Sequence, residues 1–387
     1  MNAIHRFLHT TLAALLTLSS AVAAAQVPAP PEVDATSYVL VDFHSGQTLA
    51  ALDPDLPVEP ASITKLMTSY VAFNEIEAGR LALDDRVRVS ENAWRTGGSR
   101  MFIEVGSEVT VEDLLKGIIV QSGNDASVAL AEHIAGSEDV FAQMMNAEAE
   151  KLGMTHTHFV NATGLPAEGH LTTAADIALL ARALIQRFPE FYRWYSQREF
   201  TYNGITQRNR NLLLGRDPSV DGLKTGHTES AGYCLVTSAE RDGMRLISVV
   251  MGASSEQARA DASQALLNYG FRFFETFRLY EPGDAVAQVE VWKGQADQLS
   301  LGVAQAVYVT IPRGQQDRLA ASLSIARPVI APVAQGQTLG EIRIDLGDEP
   351  LLTRPLIAAE AVPAAGWWGR TTDSIGLWFH GWFGDDE

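Results

Sequence analysis

An apolar run at Tyr38-Val39-Leu40-Val41, a Ser45-Gly46 break and a second extended segment through Leu49 predict a β-hairpin closed by a glycine-containing turn. Pro57 and Pro60 interrupt the chain, and a helix is predicted to open at Ser62. Helical spacing of apolar residues then dominates over 111–121, 125–135, 138–152 and 172–188, with Thr172 as the expected N-cap of the last. Strand-like runs return at 232–237 and 245–251, and a long helix is predicted over 256–269. The pattern predicts an α+β fold: a mostly antiparallel sheet flanked by helices, with an inserted helical lobe. Around residues 277–284 the pattern changes. Short segments at 285–292, 306–311, 319–325, 341–346 and 351–357, separated by Gly, Pro and Asp, predict a small all-β domain. Near the end, Trp368, Ile375, Trp378, Phe379, Trp382 and Phe383 fall on one arc at about 100° per residue, with Arg370, Asp373 and His380 opposite. That C-terminal amphipathic helix is too short and polar to span a bilayer, but its aromatic face suits the membrane interface. Asp385-Asp386-Glu387 and a single nearby arginine argue against electrostatic attraction to anionic lipid.

The N-terminal segment adds a compartment. Arg6, the apolar stretch from Phe7 to Val22 and Ala23-Ala24-Ala25 read as a secretory signal peptide cleaved near Ala25. The expected organisation is a signal peptide over 1–25, a larger domain over 26–280, the all-β domain over 281–362 and the amphipathic helix over 363–387. Hydrophobic residues make up 46 % of the chain, enough for a sizeable core. Cys234 is the only cysteine, so no intramolecular disulfide is possible; set in an apolar strand, it reads as a core residue. A net charge of −18 argues against nucleic acid as a partner, because a polyanion demands a basic face. No metal-spaced Cys/His set and no phosphate-cradling glycine loop is present, and His156 and His158 read as a solvated turn. Neither a metal nor a cofactor is expected.

Three strings carry the candidate chemistry: Ser62-Ile63-Thr64-Lys65, Ser122-Gly123-Asn124 and Lys224-Thr225-Gly226. A serine hydroxyl needs a base within hydrogen-bond reach, and a lysine supplies one once burial and cationic neighbours strip its proton. Ser62 and Lys65, three apart on a helix, share one face, and a serine near a helix N-terminus meets N–H groups that favour developing negative charge. Ser122 and Asn124 fall on a helix–helix connection facing the cleft. The lysine tripeptide is predicted to begin a strand bordering that cleft, with Gly226 permitting close backbone approach by a ligand.

Each string alone is common; their order and spacing together are specific. The chain resembles the penicillin-recognising serine acyltransferases, and within them the low-molecular-mass D-alanyl-D-alanine carboxypeptidases, on Gln121-Ser122-Gly123-Asn124-Asp125-Ala126 and Lys224-Thr225-Gly226-His227-Thr228. The resemblance implies a β-lactamase/transpeptidase-like fold and, as substrates, peptidoglycan stem peptides ending in D-Ala-D-Ala. It implies Ser62 as nucleophile, Lys65 as general base, Ser122 in proton transfer and Lys224 holding positive field over the cleft. Asn124, with both donor and acceptor, suits a substrate amide. The oxyanion is expected between the backbone N–H groups of Ser62 and His227, and the departing carboxylate against Thr225, with Arg259 and Arg210 matching family arginines near that end. β-Lactam antibiotics are expected to acylate the same serine. The implied location is the periplasm, peripherally attached to the outer face of the inner membrane through the C-terminal helix. Competing readings are a β-lactamase, for which Glu168-Gly169-His170-Leu171-Thr172 superficially resembles a water-holding glutamate loop, a D,D-endopeptidase, and a non-catalytic wall-binding protein.

Overall fold

The computed structural model describes residues 27–366. Strand β1 (Ser37–Asp42) is buried along its whole length, which is why its sequence shows a continuous apolar run and no alternation. It pairs antiparallel with β2 (Thr48–Leu52) through the expected hairpin. Helix α1 (Lys65–Glu77) follows a single 3-10 turn, Ala61–Thr64, so Ser62 lies in the turn that leads into the helix and not in the α-helix itself. Residues 65–74 of α1 are all buried, which makes it the central helix of the lobe and erases any polar face from its sequence.

Around α1 pack α2 (Asn124–Ala135), α3 (Glu138–Lys151) and α4 (Ala174–Arg187). The residues predicted as one helix over 111–121 form an α-helix, Val111–Lys116, that widens into a π-helical turn, Gly117–Gln121, and ends at Ser122 in the left-handed region with φ 63°. The N-cap of α4 is Thr173, whose side chain accepts from the Asp176 amide; Thr172 is instead tied by its own backbone amide to the Val58 carbonyl.

The chain then returns to the sheet in β3 (Val220–Thr228), β4 (Gly232–Arg241) and β5 (Met244–Ala253), giving the antiparallel order β2-β1-β5-β4-β3. Lys224-Thr225-Gly226 lies in the middle of β3 and does not begin it; the strand starts at Val220, with a bulge at Asp221 and pairing resumed at Gly222. Alternate residues of the sheet face two cores. Leu40, Leu235 and Leu246 pack under the long helix α5 (Glu256–Phe273), while Val39, Val236 and Ile247 pack against α4 and the lobe. Cys234 is fully buried, and burial pushes its thiol up to about 11.

Helix α5 runs straight into β6 (Phe274–Tyr280), which pairs with β7 (Val307–Pro312). Beyond them a six-stranded sheet closes around Val289, Leu301, Ile342, Ile344 and Leu356. Its Gln298–Gly302 and two-residue Val329–Ile330 strands were not foreseen in the sequence pattern. Thr276 donates to Asp42 at 2.7 Å, and Ser45 meets Thr310 at 2.7 Å, tying this β unit to the first hairpin. Residues 362–365 are still bonded to the β unit, through the Gly294↔Ala364 and Val333↔Val362 bridges. The expected signal peptide over 1–25 and the residues from Trp367 onward, where the amphipathic helix is expected, lie outside the described residues. Among the described residues no helix is long and apolar enough to cross a membrane.

Candidate active site

Two glycines clamp the turn that carries Ser62. On β3, a Cβ at Gly226 would sit 3.2 Å from the Ile63 amide nitrogen, so the edge strand lies flat against the turn. From the other side, Gly164 at φ +81° brings its loop so close that a Cβ would stand 1.8 Å from the Ala61 carbonyl oxygen. Between them the half-exposed Ser62 faces a cleft of about 390 Å³.

Beneath Ser62, Lys65 is 1 % exposed. Its Nζ lies 3.0 Å from Ser62 Oγ, 2.7 Å from Asn124 Oδ1 and 2.5 Å from the Thr163 carbonyl oxygen. The last two partners can only accept, so they take two N–H bonds of a neutral amine and leave its lone pair on Ser62. Burial first, and then the charge of Arg210, bring this amine down to about 7, against the opposing pull of Asp125 and Glu138. A lysine half deprotonated at neutral pH is what a serine nucleophile requires.

Ser122, in its left-handed conformation, presents Oγ to the same space and accepts from Lys224 Nζ at 3.0 Å. Lys224 is 2 % exposed and also donates to the Thr225 carbonyl at 2.8 Å. Burial, with Lys65, Arg210 and Arg259 nearby, pushes it well below the ordinary lysine range. Arg210 and Arg259 thus add positive charge close to Lys224.

The Asn124 carboxamide has protein partners at both ends: Oδ1 accepts from Lys65, and Nδ2 donates to the Gly97 carbonyl at 2.7 Å. One N–H and one acceptor site of Oδ1 remain beyond these two bonds. The adjacent Asp125 is fully buried and accepts from the amides of Met101, Phe102 and Ile103, which fixes the cleft wall that includes Gly98 and Ser99.

At the far end, Thr225, Gly226, His227 and Arg259 line the cleft, with Arg210 across it. Arg259 is 2 % exposed; its Nη1 donates to the Gly226 carbonyl at 3.1 Å, while Nη2 has no hydrogen-bond partner and meets only Glu256 at 3.7 Å. Arg210 and the His227 side chain are exposed, the imidazole lying 4.0 Å from the Tyr233 ring centre. The structure thus gathers every sequence-predicted site residue into or directly beneath one cleft. What the sequence did not disclose is the Thr163 carbonyl, since every residue has one, and the role of Asp125 as a wall anchor. Glu168, the glutamate of the β-lactamase reading, is exposed and does not line the cleft.

Comparison with known proteins agrees with this geometry. The profile of the D-alanyl-D-alanine carboxypeptidase family (peptidase family S11) matches residues 23–255, and that of the penicillin-binding protein 5 C-terminal domain matches residues 274–364. The chain is 45 % identical over 373 residues to D-alanyl-D-alanine carboxypeptidase DacC of Escherichia coli, covering 94 % of this chain and 93 % of that one. Among solved structures, penicillin-binding protein 5 from Haemophilus influenzae is similar with a TM-score of 0.84 at 39 % identity, over 87 % of this chain and 99 % of that one. Penicillin-binding protein D2 from Listeria monocytogenes, solved in its ampicillin-bound form, is similar over 62 % of this chain and all of its own (100 %), with a TM-score of 0.58 at 31 % identity.

Proposed function

This chain belongs to the D-alanyl-D-alanine carboxypeptidase family and is a carboxypeptidase of the penicillin-binding type with a mixed α/β fold and a C-terminal β domain; from that premise we propose that Ser62 is its nucleophile and Lys65 its general base. Ser62 Oγ attacks the carbonyl carbon of the penultimate D-alanine while its proton passes to Lys65 Nζ. The tetrahedral oxyanion lies between the backbone N–H groups of Ser62 and His227, a donor of this kind being worth about 3 kcal/mol. On collapse the C–N bond breaks, and the terminal D-alanine leaves after its nitrogen takes a proton by way of Ser122. Water then attacks the ester, Lys65 takes its proton, and the shortened peptide departs with Ser62 restored. A β-lactam carbonyl undergoes the same attack, but its ring nitrogen stays tethered to the acyl group.

Thr225, Arg259 and Arg210 receive the C-terminal carboxylate of the substrate. Its arrival favours the charged form of Lys224, which then stabilises the bound anion through the Ser122 end of the cleft. Asn124 holds Lys65 in place and offers its remaining N–H to the peptide. The observation that carries this reading is the Lys65 amine, whose two fixed acceptors leave its lone pair directed at Ser62 Oγ.

Because, among the described residues, none that lines the cleft comes from the β unit, that unit serves as a spacer, with the domain division just ahead of β6. Secretion through the 1–25 segment and interfacial attachment through the aromatic C-terminal helix would place the enzyme in the periplasm, on the outer face of the inner membrane. The test is D-alanine release from a D-Ala-D-Ala peptide together with labelling by a fluorescent penicillin. Wild type is expected to do both and Ser62→Ala neither. Cleavage of cross-linked muropeptides without D-alanine release would favour the endopeptidase reading instead.

A further inference from the structure

Resting on the assignment of Lys65 as base, we propose that His170 is a positioning residue for that base: its imidazole pins the loop whose Thr163 carbonyl holds Lys65 to the turn that carries Ser62. His170 is 2 % exposed, and both ring nitrogens are engaged. The Val160 amide donates to Nδ1 at 3.0 Å, so Nδ1 is unprotonated and the ring proton sits on Nε2, which then donates to Thr64 Oγ1 at 2.8 Å. Thr64 is the last residue of the nucleophile's turn and directly precedes Lys65, and its hydroxyl lies 2.9 Å from where a Cβ at Gly164 would stand, the Ala61 carbonyl oxygen being closer still at 1.8 Å. One ring therefore spans both halves of the base's hydrogen-bonding environment.

The other braces of this loop act elsewhere. Asn161 Oδ1 accepts from the Gly164 amide at 2.7 Å and from the Thr163 hydroxyl at 2.9 Å, which shapes the loop internally. Glu138 accepts from the Ala162 amide at 2.9 Å, and Thr68 donates to the Ala162 carbonyl at 2.7 Å, which ties the loop to α3 and to the second turn of α1. The His170–Thr64 bond is the brace next to Lys65 itself. A shift of the Thr163 carbonyl would free one N–H of the amine, turn its lone pair from Ser62 and admit water. The imidazole does not act as a titrating switch. Burial, then the charges of His158 and Lys65, bring it down to about 4, so it is neutral wherever the base works. The charged groups acting on Lys65 are Arg210, Asp125 and Glu138, with Lys224 beside them, and none is removed by changing His170.

The experiment measures the second-order rate of acylation by a fluorescent penicillin from about pH 5 to about pH 10 in full-length wild type, His170→Leu and His170→Gln. In the leucine variant the rate is expected to fall about ten- to hundredfold. Its pH midpoint is expected to move from about 7 upward, toward that of an ordinary lysine, as water reaches the amine. The glutamine variant, which keeps an N–H donor toward Thr64, is expected to recover most of the rate and return the midpoint. A leucine variant with wild-type rate and midpoint overturns the proposal. So does one whose rate falls with an unmoved midpoint, because loss of folded protein lowers the amplitude but cannot shift the titration of the base. A wild type that takes no label overturns the assignment of Lys65 and this inference with it.

Discussion

The fold makes the charge of Lys65, the proposed base, expensive, and that leaves a trace in stability. Unfolded, the amine keeps its proton up to about 10.5; folded, it releases it at about 7. Between those values the unfolded chain binds more protons, so the stability contribution of Lys65 rises with pH, and below about 7 the full penalty of burying it is present. Urea unfolding of Lys65→Met and wild type should therefore show a stability difference most favourable to methionine below about pH 7, shrinking toward pH 10; a pH-independent difference contradicts the buried neutral amine. Arg259 makes a different prediction. Its buried Nη2 has no hydrogen-bond partner and only Glu256 at 3.7 Å, and a charge-assisted bond from this guanidinium to a substrate carboxylate is worth about 1.5–3 kcal/mol. Arg259→Gln should raise KM for a D-Ala-D-Ala peptide about tenfold or more, while leaving a C-terminally amidated analogue unaffected; equal effects on both would assign the residue to packing. That these side chains share one cleft was legible in the order and spacing of the three strings, and for the two arginines in the family resemblance. The Thr163 carbonyl was not, since backbone acceptors carry no residue signature and only folding aims them.

At the scale of elements, the site depends on the edge strand β3 and the Gly164 loop closing on the Ala61–Thr64 turn. Gly226→Ala places a Cβ 3.2 Å from the Ile63 amide, a contact that a small outward movement of β3 relieves. Acylation should drop by at least tenfold with little loss of melting temperature, because β3 bears half of the proposed oxyanion site. Gly164→Ala has no such escape, with a positive φ and a backbone oxygen 1.8 Å away, and both activity and stability should fall. A Gly226→Ala enzyme that labels at the wild-type rate would mean that β3 does not define the oxyanion position. The sequence disclosed the hairpin, the lobe helices and the central strands, where periodicity is long and uniform. It missed β6, which follows α5 with no intervening breaker, and the Val329–Ile330 strand, which is too short to show a period. It placed the start of β3 late because Asp221-Gly222 has the composition of a turn, while the chain here is strand with a bulge at Asp221. The π-helical turn before Ser122 is likewise silent in sequence; it sets the left-handed serine that lets Oγ reach Lys224.

For the whole molecule, the proposed division is of catalysis and placement between units. Among the described residues, every one that lines the cleft precedes β6, and the β unit meets the first through Asp42–Thr276, Ser45–Thr310 and the stacking of His44 on Tyr308. Tyr308→Ala should therefore loosen the junction without changing penicillin acylation by more than about twofold; a larger loss would show that the β unit shapes the cleft. A net charge of −18 fits a partner that is not a polyanion, while the cleft locally concentrates the arginines that an anionic peptide terminus needs. The account as a whole stands on Ser62 and its neutral amine neighbour. The most direct measurement is peptide mapping by mass spectrometry of the β-lactam adduct formed across a pH series. The adduct is expected on Ser62 alone, forming at a rate that is half-maximal near pH 7. An adduct on Ser122 or any other residue, or a rate that tracks an ordinary lysine, would contradict it.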